Sequence, residues 1–385
     1  GSTPGQPQTL WESRVDDLSS FTPGIPADSP MILTMAASQQ NRIAWISSLR
    51  GLMIGTSEGE WRLRASDSAG INANNAEFER HSGVGSSLLD ALTVENSLLF
   101  VQQGGRKVRE FFYSLEADGF LTRDVSLLSD HLLTEGIVDW TVQRSTAFHV
   151  WCVLKDGSAV CMTLNREQNI VAWHAHRLEH GRILSVASLR SSQDTQDEEV
   201  WFTVERGEGE HACIKEERMA EGNEYLDACT EAVVRDGRLS GLRHLAGCEA
   251  VLMDGNGSCS TILVDGEGNA PCPERREGET VRAGMAAPAE VRTMPLESLE
   301  TLGRLKKQLG ARALLHESSL QFLYGTGAPG AWRRFQPGRY GAEAPYSGYV
   351  RLTHNYGTDE QAAFALRVEE PGPFNLLALV LDVEL

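Results

Sequence analysis

Hydrophobic residues of this chain come in short runs separated by turn residues, and the runs repeat along its first half. Each repeat holds three runs of about five residues, rich in aromatic and β-branched side chains, a pattern typical of β-strands. The runs lie at 42–46, 51–55 and 60–63; at 91–94, 97–101 and 107–111; at 137–141, 149–154 and 158–163; and at 183–187, 199–204 and 212–216. The period of about 47 residues predicts consecutive blades of a β-propeller.

Turn residues join the second and third runs of the later repeats. Lys155-Asp156-Gly157 and Gly207-Glu208-Gly209 provide glycines for the positive backbone dihedrals of tight hairpins. Residues 171–176 give the third repeat an outer fourth strand, and residues 9–15 are predicted to be the last strands of an earlier blade. We therefore expect an all-β chain with about four propeller-like blades, in a set that is incomplete at its N-terminal end.

The period fails beyond about residue 222, and this change predicts domain boundaries. We expect a β-propeller-like domain over 1–222, a small β-rich domain over 223–294 and a β-rich C-terminal region over 295–385. The last two form a small β-barrel or β-sandwich region. Leucine spacing predicts one short helix over 296–305. Residues 325–349 are rich in glycine, proline, arginine and tyrosine, and this composition predicts a projecting loop.

Charge and cysteine content narrow the classes of function. The chain has 35 basic and 53 acidic residues, a net charge of −18, which argues against a surface that holds DNA or anionic lipid by neutralising phosphates. Seven cysteines without a Cys-x-x-Cys pair argue against a disulfide framework or zinc ribbon and fit a reducing compartment. No apolar run nears the roughly 18 residues that cross a bilayer, so we expect no membrane insertion.

The N-terminus begins abruptly, without a basic and then apolar leader. Gly1-Ser2 is typical of a cloning scar, and Thr3-Pro4-Gly5 follows directly. We expect the chain to be a fragment of a longer one.

Two motifs that resemble catalytic or metal sites are better explained as turns or strands. Residues 55–59 match the Gly-x-Ser-x-Gly nucleophile elbow, but a second strand follows them where an α/β-hydrolase has a helix. His174 and His176 share one face of a strand near His180, and no cysteine or carboxylate nearby completes four ligands. We expect no nucleophile and no metal at these places.

Acidic residues likewise point to no site. The start of a calcium-binding loop is matched by Asp254, Asn256 and Ser258. The match ends there, because Cys259 lies at the position where that loop needs glycine and Asp265 at the position where it needs glutamate. The acidic run that includes Asp194, Asp197, Glu198 and Glu199 is typical of a solvated loop. With no phosphate loop, dinucleotide fingerprint or His-Glu-x-x-His motif either, we expect no enzymatic activity and no cofactor.

Several segments carry a resemblance to a known family. They are residues 8–15, 55–61, 100–110, 156–157, 165–174, 216–219, 225–227 and 241–247, and the terminal Pro371-Gly372-Pro373-Phe374. In order and spacing the chain resembles the tail tubular protein B, or tail nozzle, family of short-tailed bacteriophages and their prophage relatives. Members of that family carry a substantial N-terminal portion before the Trp11-Glu12-Ser13 position, which this chain lacks.

The resemblance implies a structural virion protein without an active site. It implies a ring, commonly a hexamer, that binds adaptor and tail tube proteins and lets DNA pass through its lumen without specific binding. The resemblance also implies that the protein is located in the virion tail, and in the cytoplasm of the host bacterium during assembly. A net charge of −18 suits a lumen that must not hold phosphates.

Two other classes of function remain open from the sequence. One is a propeller-type tail protein that binds or degrades polysaccharide, which would need two carboxylates about 5–10 Å apart in an aromatic-lined cleft. The other is a cytosolic interaction scaffold unrelated to virions. For a contact between subunits the sequence offers Arg333, Arg334, Arg339 and Tyr340, in the predicted 325–349 loop.

Overall fold

The computed structural model confirms an all-β chain, with 56% of the residues in strands and 4% in helix. It describes residues 3–24, 26, 28–36, 41–67, 70–145, 148–191, 197–207, 209, 212–220, 225–255, 258–295, 303–328, 330–340, 345–353, 358–359 and 363–384. Within this part of the chain no helix is long and apolar enough to span a membrane. Two compact units are present: Gly1–Arg177 with Gly181–Glu205 and Glu216–Met219, and Leu178–His180 with Arg206–Lys215 and Ala220–Leu385.

The first half of the chain forms one two-stranded sheet and then four sheets of three or four strands. The strands are β1 (Thr9–Glu12), β2 (Met31–Thr34), β3 (Ile43–Ser48), β4 (Leu52–Thr56), β5 (Gly59–Ala65), β6 (Ala76–Ser82), β7 (Leu92–Val94), β8 (Ser97–Val101), β9 (Val108–Ser114), β10 (Gly119–Asp124), β11 (Ile137–Arg144), β12 (Phe148–Leu154), β13 (Ala159–Asn165), β14 (Ile170–His176), β15 (Gly181–Arg190), β16 (Glu198–Arg206) and β17 (Cys213–Arg218). Sheet 1 is β3-β4-β5-β6, sheet 2 β7-β8-β9-β10, sheet 3 β11-β12-β13-β14 and sheet 4 β15-β16-β17. In each of them neighbours in sequence are neighbours in the sheet.

These sheets lie where the 47-residue period predicts them. Each of the twelve predicted strand positions in the four repeats falls on a strand of the matching sheet, and 171–176 becomes the outer strand β14. Gly157 in the turn between β12 and β13 has a φ of +85°, and a Cβ there would collide with Arg182. Residues 9–12 form β1, which pairs with β2. Closure of the sheets into a propeller stays a prediction.

Successive sheets pack face to face. Leu10 of β1 shares a buried cluster with Trp61 of sheet 1. Trp45 of sheet 1 contacts Phe100 of sheet 2 with ring centroids 5.8 Å apart, and Val101 and Trp140 belong to the cluster that joins sheets 2 and 3. Trp151 of sheet 3 contacts Phe202 of sheet 4 at 5.4 Å. This stacking of antiparallel sheets is how neighbouring propeller blades pack, so the local packing agrees with the predicted architecture.

Acid should weaken the packing between sheets 1 and 2, because His81 is enclosed there. Its ring lies 5.2 Å from Phe120 and 6.2 Å from Phe111, and its side chain is 10% exposed. Burial lowers the pKa of His81, although Glu79 opposes that shift, while Arg62 and Arg64 add to it. The unfolded chain therefore binds a proton that the folded chain excludes, and stability is lost as the pH falls below about 6.5, by at most about 1.4 kcal/mol per pH unit for one group.

Urea unfolding at pH 7.5 and 5.5 tests this expectation. The midpoint should be lower at pH 5.5, and His81→Phe should reduce the difference between the two values. Burial raises the pKa of Glu60, which acts in the opposite direction at lower pH, so the comparison between variant and parent is the decisive one. An equal difference in both proteins would contradict the role of His81.

The second half of the chain holds two separate cores. Its strands are β18 (Leu226–Val233), β19 (Arg238–Leu239), β20 (Glu249–Met253), β21 (Cys259–Leu263), β22 (Ala270–Pro271), β23 (Thr280–Ala286), β24 (Ala289–Arg292), β25 (Lys306–Ser318), β26 (Leu323–Gly325), β27 (Arg333–Arg334), β28 (Tyr346–Thr353), β29 (Thr358–Asp359), β30 (Ala365–Val368) and β31 (Asn375–Glu384). Sheet β18-β23-β20-β21 surrounds one core, which includes Leu252 and Val281. The second core includes Phe322 and Phe364 and lies between two sheets, β24-β30-β26-β27 and β28-β25-β31. The short strand β29 pairs with the start of β25.

Short 3-10 turns at Leu127–Leu132, Arg243–Leu245 and Gly338–Tyr340 are the helical segments of the described residues. The helix predicted over 296–305 falls mostly on 296–302, outside the described residues. The end of that segment, 303–305, is described and is not helical, and it leads directly into β25. The predicted boundaries at 222 and 294 stay predictions. Strand β24 pairs with β30 and so belongs to the last sheets of the chain.

Candidate assembly surfaces

The segment predicted to project as a loop is packed against a core in its described part. Phe335 is 5% exposed, and its ring stacks on Phe322 with centroids 4.7 Å apart. Tyr340 lies 5.9 Å from Phe335 and 5.7 Å from Tyr346. The prediction of a projecting loop is corrected to this extent, because a few aromatic residues anchor the segment where the apolar pattern is too sparse to predict packing.

The four residues expected to form a subunit contact have different surroundings. Arg333 is exposed on β27, opposite Tyr324. Arg334 is 57% exposed and its Nη1 lies 2.8 Å from the Glu370 carboxylate. The side chain of Arg339 lies outside the described residues. The hydroxyl of Tyr340 accepts a 3.0 Å hydrogen bond from the backbone N–H of Arg351, and it thereby satisfies one N–H group of strand β28.

Tyr340 should therefore matter for folding more than its arginine neighbours. Tyr340→Phe removes the acceptor and keeps the ring, and should lower the free energy of unfolding by about 0.5–1.5 kcal/mol. Arg333→Ala should change it by less than about 0.5 kcal/mol, because the side chain is exposed. Denaturant unfolding of both variants measures this, and an Arg333→Ala effect as large as that of Tyr340→Phe would contradict the assignment.

Sheet 4 presents an open face opposite its buried one. Val200, Phe202 and Val204 of β16 are buried, whereas Trp201 and Thr203 alternate with them on the other face. A shallow groove of about 340 Å³ runs over that face, and its lining consists of Ser185, Ala187, Leu189, Trp201, Thr203 and Glu216. Leu189 is 54% exposed. This sheet therefore has room for a neighbour or a ligand beside Trp201.

The charged groups near the groove are held by hydrogen bonds. Glu199 accepts hydrogen bonds from Ser191 Oγ at 3.0 Å and Trp201 Nε1 at 3.1 Å, and Arg218 Nη1 lies 3.0 Å away. These hydrogen bonds, the one from Ser191 first, lower the pKa of Glu199. Thr203 Oγ1 lies 3.1 Å from both carboxylate oxygens of Glu216. Glu199 is thus stabilised as a carboxylate, which does not suit a general acid.

A fully buried carboxylate joins sheets 2 and 3. Glu110 of β9 accepts a 2.5 Å hydrogen bond from Arg123 Nε, and it forms an ion pair with Arg166. Arg166 follows β13 in sheet 3 and also lies 3.5 Å from Glu95 and 3.2 Å from Ser97 Oγ, both on the sheet 2 side. The side chain of Glu110 is 0% exposed. This cluster holds two neighbouring sheets in one register.

A second buried ion pair lies in the other unit. Arg206 is 0% exposed, and its Nη2 contacts both oxygens of Asp227 at 3.1 and 3.2 Å. Its Nη1 donates to the backbone carbonyl of Glu179 at 3.3 Å. The sequence does not predict this pair, because an arginine at the end of an apolar run gives no sign of its partner. The only local signal is a basic residue at an alternating, inward position of β16.

The motifs that resembled catalytic or metal sites have structural surroundings. Residues 55–59 form the hairpin between β4 and β5, as predicted. His174 and His176 lie side by side on β14 with ring centroids 4.8 Å apart. Asp254 pairs with Arg275 at 2.9 Å, while Asn256 lies outside the described residues. Among the residues that the structure describes, no three His, Cys, Asp or Glu side chains are grouped so that they could hold a metal.

Cys152 and Cys161 lie in sheet 3, where both are buried and form no disulfide. Burial raises the pKa of Cys161 to about 12 and raises that of Cys152 still further. Both thiols therefore stay protonated and act as small apolar side chains.

Comparison with known proteins adds no family to this picture. The chain matches no protein-family model, and no curated protein is significantly similar to it in sequence.

Proposed function

We propose that this chain is a structural subunit of a bacteriophage or prophage tail, in which copies form a ring around the path of DNA ejection. The observation that carries the proposal is the series of sheets 1 to 4, which repeat one meander and pack face to face through buried aromatic residues. Such a stack makes a rigid wall. The segments quoted for the resemblance to the tail tubular protein B family supply the biological setting.

Electrostatics support the same proposal. The net charge of −18 disfavours adhesion to DNA, because binding a duplex needs basic residues that displace its counterions. Many of the arginines are already paired with carboxylates, as Arg123 is with Glu110 and Arg64 with Glu77. Each such pair removes a cation that could otherwise hold a passing duplex.

Particle mass and shape test the proposal. Light scattering behind size-exclusion chromatography should show a closed oligomer of the 42.2 kDa chain, and negative-stain electron microscopy should show rings with a central opening. A 30-base-pair duplex should not be retained at physiological salt. A monomer at all concentrations, or a particle that binds the duplex tightly, would contradict the proposal.

One observation favours a second candidate, a tail protein that binds glycan. The groove over sheet 4 carries Trp201, and an indole is a common platform for the apolar face of a sugar. Its volume of about 340 Å³ is at the lower end of the range of ligand sites, about 300–1,000 Å³. Titration of host polysaccharide fragments should then change Trp201 fluorescence, and Trp201→Ala should remove binding. No binding by the parent protein excludes this candidate.

A further inference from the structure

Edges of β-sheets expose unpaired N–H and C=O groups, and proteins normally protect them with charged residues or covering segments. Several edges in the described part of the chain follow that rule. Strand β6 carries Glu77, Glu79 and Arg80. Strand β28 carries Arg351, whose N–H is occupied by the Tyr340 hydroxyl.

Among the described edge strands, β14 and β31 lack this protection. The edge strand β15 also has seven uncharged positions, 183–189, but the Asp139 carboxylate accepts a hydrogen bond from the N–H of its Val186, and the uncharged edge strand β21 is only five residues long. Residues 170–176 of β14 and 375–381 of β31 each form seven consecutive positions without Asp, Glu, Lys or Arg. In the described part of the chain β14 pairs with β13 alone and β31 with β25 alone. Apolar side chains are exposed on both, by 43% at Val171 and 63% at Leu377. The six-residue edge strand β3 differs, because its Ile43 and Trp45 are buried.

The charges that flank these strands are complementary. Strand β31 continues into Asp382 and Glu384, whereas β14 is followed by Arg177. Asp382 and Glu384 do have cations of their own sheet nearby, Arg312 at 3.6 Å and Lys307 at 3.8 Å, but these pairs are exposed and weak. A parallel alignment of β31 with β14 brings the acidic end of one strand to the basic end of the other.

We propose that β31 of one copy adds to the free edge of β14 in a second copy, an inference that rests on the proposed assembly of the chain with itself. The ladder would span about 23 Å for seven paired residues, at about 3.3 Å per residue. Pairing β31 with β31 in parallel would instead place four carboxylates together, and pairing β14 with β14 would leave both acidic ends unmatched. A contact between two different edges is head-to-tail, so repetition produces rings when the rotation closes.

Lysine substitutions on the two edges test the proposal. Val171→Lys and Leu377→Lys each place a charge on one edge, and each should reduce the assembly to a monomer in light scattering. Leu18→Lys is the matched control, because Leu18 is 85% exposed in the segment between β1 and β2, outside both edge strands, and its assembly should equal that of the parent. Thermal midpoints close to that of the parent show that the variants are folded.

Mixing the two variants distinguishes this contact from a symmetric one. A Val171→Lys copy keeps an intact β31 and a Leu377→Lys copy keeps an intact β14, so the mixture should form dimers and nothing larger. A mixture that stays monomeric, or a variant that assembles like the parent, overturns the strand pairing. Rings that survive both substitutions overturn it and leave the proposed function standing. Open chains of the parent that both substitutions dissolve support the pairing and contradict the ring.

Discussion

Asp227→Asn should lower the free energy of unfolding of the second unit by about 3 kcal/mol, at the lower end of what breaking one side of a buried ion pair costs. The reason is Arg206, which is 0% exposed and holds both oxygens of Asp227. The amide keeps the shape of the side chain and can still accept one hydrogen bond. It cannot balance the guanidinium charge, which has no access to water.

The double variant Arg206→Met/Asp227→Asn separates the loss of charge balance from the loss of contacts. Removing both charges should recover most of the lost stability, because an apolar side chain of similar length needs no partner. Glu370→Gln is the matched control, since it breaks an ion pair with Arg334 that is about half exposed, and it should change stability by less than about 1 kcal/mol. Denaturant unfolding measures all three, and equal effects of Asp227→Asn and Glu370→Gln would contradict the role of burial.

Strand positions could be predicted from the sequence because they depend on local signals. Alternating apolar residues and glycine turns such as Gly157 act within one hairpin, and these are the elements that the structure reproduces. The packing of the 325–349 segment could not be predicted, since single aromatic residues such as Phe335 and Tyr340 carry it. Phe335 packs on Phe322, which lies outside the segment, and Tyr340 packs on Phe335.

The buried ion pairs and the free edges needed three-dimensional information for a different reason. Glu110 and Arg166 belong to different repeats, and the pattern of each repeat alone shows only a polar residue among apolar ones. An uncharged run such as 375–381 reads as a buried strand in the sequence, and only the sheet order shows that β31 lies at an edge. Such features arise from contacts between distant segments, on which a local pattern carries no information.

Glu110→Gln should lower the free energy of unfolding of the first unit by about 3–5 kcal/mol, the usual result of removing one charge from a buried ionic cluster. The carboxylate is 0% exposed and serves two guanidinium groups, Arg123 of its own sheet and Arg166 of sheet 3. The Arg166 side chain is only 28% exposed, and burial lowers its pKa while Glu95 opposes that shift. Without Glu110, Arg166 retains the Glu95 carboxylate and the Ser97 hydroxyl as neighbours in the described part of the chain.

Glu95→Gln is the matched control because it removes a charge from the same arginine at an exposed position. Glu95 is 41% exposed and 3.5 Å from Arg166, so its loss should lower stability by no more than about 1 kcal/mol. Chemical unfolding followed by tryptophan fluorescence compares the two variants in one assay. If Glu95→Gln destabilises the protein as much as Glu110→Gln, the buried carboxylate is not what joins sheets 2 and 3, and their register depends on the apolar cluster around Val101 and Trp140 instead.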